Sequence, residues 1–130
     1  MKILVVGSGA REHAIITALL SESADHDITC APGNAGIAAD VPCINVSATD
    51  PEAIAALASQ LEVDLVIVGP EAPLVAGVGD AVREAGIPVF GPNADAAALE
   101  GSKTFAKRIM DAAGVPTGRA HKVDNILDAE

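Results

Sequence analysis

Two four-residue runs, residues 3–6 (ILVV) and 65–68 (LVIV), are aliphatic at every position. A strand with one face in water alternates apolar and polar residues. An unbroken aliphatic run this short predicts a strand buried on both faces, as in a parallel sheet covered by helices. Helical patterns lie between such runs. In residues 11–21, Ile15, Ile16, Leu19 and Leu20 share one side. In the stretch opened by Pro51, Ile54, Leu57, Ala58 and Leu61 fall at i, i+3, i+4 and i+7, with Asp50 or Thr49 as cap. Strands alternating with helices predict an α/β fold, a doubly wound parallel sheet of Rossmann-like type with right-handed crossovers.

The remaining elements follow by the same rules. Residues 28–31 predict a second strand, stopped by Pro32-Gly33-Asn34, and residues 42–46 a further short one. Residues 74–85 predict a helix weakened by Gly77 and Gly79, and IPVFGPN a short strand and turn. Residues 95–99 predict a short helix broken by Gly101, and residues 103–113 a helix capped by Ser102 and stopped at Gly114. Beyond Pro116, residues 119–123 predict a strand leading into a helix start.

With 130 residues there is room for one ordinary domain. Two Phe and no Trp or Tyr make the core aliphatic and leave almost nothing on which bases could stack. A formal charge of −10 repels nucleic acid and anionic membranes at long range, so neither is expected as a partner. A small anion is still compatible, because backbone N–H groups at a helix start bind phosphate locally. Cys30 and Cys43 form no framework and show no zinc spacing, so they read as buried free thiols and no metal ligands are assigned. No leader and no membrane-length apolar run is seen, so the expected location is cytoplasmic.

In parallel α/β sheets ligands bind at the carboxyl ends of the strands. Three unusual loops are expected there: residues 7–12, 31–36 and 69–74. The first, GSGARE, approaches the dinucleotide pattern G-x-G-x-x-G, but Glu12 stands at the third glycine, and the second strand ends in Cys30-Ala31-Pro32 without an acid for a ribose diol. A nicotinamide cofactor is therefore disfavoured. A site for one phosphate asks only for free N–H groups and no bulk above them, which Gly7 and Gly9 supply. Arg11 is open to pairing with a phosphate, pairing with Glu12, or standing in solvent. His13 reads as a packed or exposed helix residue rather than a catalyst. Glu71 follows a buried strand and Gly69, between Pro70 and Pro73, where a carboxylate suits hydroxyl or amine donors; the alternative is an acid favoured by a helix dipole. Lys103 and Lys107, at i and i+4, read from composition as solvated lysines.

Taken in order, GSGAREHAI, APGNAG, VDLVIVGPEAPLVAG and VFGPNADAAALEGSKTFAK resemble the N-terminal part of phosphoribosylamine–glycine ligase, the glycinamide ribonucleotide synthetase of purine biosynthesis, from residue 1 to about 117. The resemblance implies a substrate-binding α/β domain over residues 1–101, followed over 102–130 by a linker helix and the start of an ATP-grasp module. It implies a longer ligase that uses ATP and Mg²⁺ to join glycine to 5-phosphoribosylamine through a glycyl phosphate. The rest of the ATP-grasp polypeptide is the implied partner, and this stretch alone is expected to be inactive, with no cofactor and no catalytic residue of its own. Alternatives are the corresponding domain of another carboxylate–amine ligase, or a non-catalytic domain binding a nucleotide or sugar phosphate. By the same resemblance Gly7, Gly9, Ala10, Arg11, Glu12, Asn34, Gly69, Pro70 and Glu71 are expected around the phosphoribosyl substrate. Lys103, in a Gly-Ser-Lys setting, is expected at the nucleotide phosphates. One departure concerns Ala10, where the family commonly shows glycine; a positive φ there would strain alanine.

Overall fold

The computed structural model describes residues 1–121 and 123. Its centre is a parallel sheet in the order β2-β1-β3-β4, made of β1 (Lys2–Gly7), β2 (Asp27–Pro32), β3 (Leu65–Val68) and β4 (Val89–Phe90). Val5 of β1 lies opposite both Cys30 of β2 and Ile67 of β3. β1 is thus flanked on both sides, and its residues 3–7 are all buried.

The faces of the sheet follow from the two-residue period of a strand. Leu4, Val6, Val66 and Val68 point to one side, where they meet α2 (Pro51–Gln60), α4 (Val78–Glu84) and α5 (Ala94–Gly101) through Ile54, Leu57, Val78, Val82 and Ala97. Ile3, Val5, Cys30 and Ile67 point to the other, packed with Ile16 of α1 (Ala10–Leu20) and with Ile37 and Val41. Two helical layers therefore sandwich the sheet, which is the expected α/β architecture. Asp50 caps α2 by accepting from the Ala53 amide at 3.0 Å, with Pro51 in the first turn.

Several expected elements take another form. Residues 42–46 make only one bridge, Cys30 to Cys43. Pro42 has no N–H to extend the ladder, and the Val46 amide turns back to the Ile44 carbonyl at 2.9 Å, bending the chain away. The helix expected over 74–85 is two: α3 (Glu71–Val75) and α4, separated by Gly77 at φ +94°. α3 also starts earlier than expected, because Pro70 serves as its N-cap and Pro73 falls in the first turn, where no N–H is needed. Glu71 therefore opens a helix instead of lying within a loop. Gly101 ends α5 from inside, and Ser102 both closes it and caps α6 (Lys103–Ala112), its hydroxyl accepting from the Phe105 amide.

Residues 119–121 form no strand. The segment before them is exposed and held by Lys107, whose ammonium donates to Thr117 Oγ1 at 2.5 Å and to the Gly118 carbonyl at 2.6 Å. The helix start expected beyond residue 123 lies outside the described residues.

Cys30 and Cys43 are free thiols, the first buried and the second half-buried. Burial, and then the neighbouring Cys43 and Glu12, push the Cys30 thiol up to about 11 from 9.0. Below pH 9 the thiol is protonated in both folded and unfolded chains and has no effect on pH dependence. Above it the unfolded chain ionises first, so this part of the stability is lost as pH rises toward 11. The expected loss is roughly 1 kcal/mol per pH unit. Urea titrations at pH 8.5, 9.5 and 10.5 should show that slope in the parent chain and a shallower one in Cys30→Ala.

Candidate functional site

The ends of β1, β2 and β3 meet at one edge of the sheet, and hydrogen bonds lace their loops together. The Gly33 amide donates to the Gly7 carbonyl at 3.1 Å, and the Gly69 amide to the Val6 carbonyl at 3.1 Å. Asn34 Nδ2 donates to the Ser8 carbonyl at 2.8 Å, while its Oδ1 accepts from the amides of Gly36 and Ile37. Arg11 donates to the Gly69 carbonyl at 2.7 Å. Of the three roles open to Arg11, the structure does not adopt the pairing with Glu12: the side chain is exposed and its partner is a backbone carbonyl.

Gly7 leaves the strand at φ +135°, a conformation glycine tolerates and other residues rarely adopt. Gly9 is the extended N-cap of α1. Ala10 is the first residue of that helix, and among the described residues the only non-glycine with positive φ is Glu62. Alanine is therefore unstrained at position 10.

Glu12 occupies the space expected to be open above the glycines. It is 2% exposed, the one charged side chain in the buried set. Its Oε2 accepts from the Gly9 amide at 2.6 Å, so that donor is already engaged. Its Oε1 is buried and has no hydrogen-bond partner.

A cavity of about 400 Å³ opens over this edge, lined by Ser8, Gly9, Ala10, Arg11, Glu12, Pro70 and Glu71. Gly7, Asn34 and Gly69 do not line it; their contacts hold the loops. Ser8 was not singled out in the sequence, although its place between Gly7 and Gly9 was a usable signal. His13 stands one helical position further on, its Nε2 2.7 Å from Asp40 Oδ2, and fastens α1 to the turn after β2.

The cavity has two chemical ends. On one side α1 opens, with the amides of its first turn and the positive end of its dipole. On the other stands the carboxylate of Glu71 at the start of α3, while that of Glu12 lies on the α1 side, bonded to the Gly9 amide. Such a site accommodates a ligand carrying an anion at one end and hydrogen-bond donors at the other.

The sequence profile described as "Phosphoribosylglycinamide synthetase, N domain" matches residues 1–100. The chain belongs to this family. Phosphoribosylamine–glycine ligase of Leifsonia xyli is 64% identical over 130 residues, covering 99% of the chain and 31% of that relative. The Streptomyces coelicolor protein of the same name is 60% identical over 133 residues, with 100% and 31% covered. Among solved structures, phosphoribosylamine–glycine ligase of Thermotoga maritima superposes with a TM-score of 0.65 at 27% identity, covering 92% of the chain and 26% of that protein. The chain thus spans about a third of the length of the ligases it resembles. A biotin carboxylase domain at 23% identity and TM-score 0.64 shares the fold.

Lys103 is exposed as the first residue of α6 and is not part of the cavity wall. Among the described residues no group of three or more His, Cys, Asp or Glu side chains could hold a metal ion, and no helix is long and apolar enough to cross a membrane.

Proposed function

We propose that this domain holds 5-phosphoribosylamine for a cytoplasmic, ATP-dependent ligase that joins it to glycine in purine biosynthesis. The names of the relatives support the reaction. The observation that carries the substrate is the two-ended cavity, with a helix N-terminus at one side and Glu71 at the other. The sugar phosphate faces the outer amides of α1, those of Ala10 and Arg11, since the Gly9 amide is engaged by Glu12. Glu71 accepts from the ribose hydroxyls or orients the amine. Asn34 holds the second loop in place through Ser8.

In the complete ligase, ATP with Mg²⁺ supplies the phosphoryl group that activates glycine's carboxylate. The phosphoribosylamine nitrogen attacks the carbonyl carbon, phosphate leaves, and glycinamide ribonucleotide forms. What this domain contributes is the position of that amine. Lys103 reaches the nucleotide phosphates only when the rest of the polypeptide brings them to α6.

The test is a titration of the 130-residue chain with glycinamide ribonucleotide, against NAD and AMP. Weak, selective binding of the first is expected, and Glu71→Ala should weaken it about tenfold, equivalent to ~1.4 kcal/mol. In the complete ligase the same substitution should raise KM for phosphoribosylamine. An unchanged affinity and an unchanged KM would remove Glu71 from the site.

A further inference from the structure

We propose that Glu12 determines ligand class, closing a diphosphate cradle that the rest of this loop would otherwise form. GSGARE departs from the dinucleotide pattern G-x-G-x-x-G only at Glu12. In that pattern the glycines let backbone approach a pyrophosphate and let the helix pack close to its strand. Here three glycines from two loops, Gly7, Gly9 and Gly69, surround a hollow, and one carboxylate fills it. A Cβ at Gly7 would lie 2.7 Å from Glu12 Cδ and a Cβ at Gly9 2.9 Å from Oε2. At Gly69 it would overlap Oε1 and lie 2.6 Å from Cδ. The glycines that suggest a phosphate loop are the socket of an internal side chain.

Two consequences follow for anions. The Gly9 amide, a donor that a cradled phosphate would use, is already bonded to Oε2. The second oxygen, Oε1, is sealed in without a partner and fills the space in front of Gly69. A diphosphate lying deep across the turn meets the bulk of the Glu12 side chain. A terminal monophosphate needs only the outer amides of α1. This second half rests on the ribose-phosphate reading above; the exclusion of diphosphates does not.

Glu12→Gly completes the pattern as GSGARG. The experiment titrates the 130-residue chain and its Glu12→Gly, Glu12→Ala and Glu12→Gln variants with ADP and inorganic pyrophosphate, following the amide resonances of residues 7–11. Glu12→Ala guards against misfolding of the glycine variant, and circular dichroism with thermal melts selects the variants that fold. The Gly and Ala variants are expected to bind ADP at least tenfold more tightly than the parent. Glu12→Gln, which keeps the shape and an acceptor for Gly9, should stay within threefold of the parent. Folded Gly and Ala variants with no gain overturn the proposal, and so does a gain in Glu12→Gln equal to that of Glu12→Gly. Ribose 5-phosphate is titrated alongside. If the parent fails to bind it while the ADP gain appears, the ribose-phosphate reading fails and the cradle proposal stands.

Discussion

Gly69→Ala is expected to destabilise the domain by about 3 kcal/mol, at the upper end of what one added methyl does in a packed interior. Gly69 carries no positive φ, so backbone strain is not the cause. The added Cβ enters the Glu12 carboxylate, with Cδ at 2.6 Å and Cγ at 2.7 Å. A flexible surface side chain would swing aside, but Glu12 is 2% exposed and is tethered to the Gly9 amide at 2.6 Å. Moving it breaks that bond and pushes a charge through packed backbone. For a domain of this size the midpoint of thermal unfolding should fall by about 10 °C. The decisive measurement is a double-mutant cycle in urea. Glu12→Ala alone should cost ~1–2 kcal/mol for the lost bond. In the Glu12→Ala background, Gly69→Ala should cost under ~1 kcal/mol, because the obstacle is gone. Equal costs of Gly69→Ala in both backgrounds would show that Glu12 is not what the glycine makes room for.

That coupling explains which parts of the site were legible in the sequence. The motif GSGARE and the GPEAPL segment were visible as local strings, and the doubly wound fold predicted that both would reach the same edge. The direction of the Glu12 side chain was not visible, because it depends on Gly69, a residue of another loop. The partner of Arg11 is 58 residues away, and the Asn34 tie to Ser8 spans 26. Contacts at such separations leave no periodic trace. Strands β1 and β3 were legible because burial on both faces leaves residues 3–6 and 65–68 without a polar side chain. Residues 42–46 carry a similar apolar composition but fail as a strand through one missing N–H and one tight turn. Pro70 and Pro73 read as loop-stiffening residues. The structure uses both at the start of α3, where a residue without an N–H is harmless and Glu71 gains a helical position facing the cavity.

A second large effect is expected deep in the sheet. Leu4→Ala should cost about 3–4 kcal/mol, within the range for emptying a buried leucine site. Leu4 is 0% exposed and belongs to the cluster that joins β1 and β3 to α2, α4 and α5. Helices cover it from one side and neighbouring strands from both edges, so the walls have little freedom to collapse into the space. Phe90→Ala serves as the control, because truncating a core phenylalanine ordinarily costs as much or more. Phe90 is 68% exposed on the two-residue edge strand β4, and its loss should change stability by less than ~0.5 kcal/mol. The ranking by residue size is therefore inverted in this chain. With only two Phe and no Trp or Tyr, cohesion rests on many interdigitated aliphatic side chains and not on a few large rings. Chemical denaturation of the two variants tests this directly: the leucine variant should lose most of its unfolding midpoint at an unchanged slope, and the phenylalanine variant should overlay the parent. A Phe90→Ala loss as large as that of Leu4→Ala would place an essential part of the core at the edge of β4, where the geometry leaves the ring in solvent.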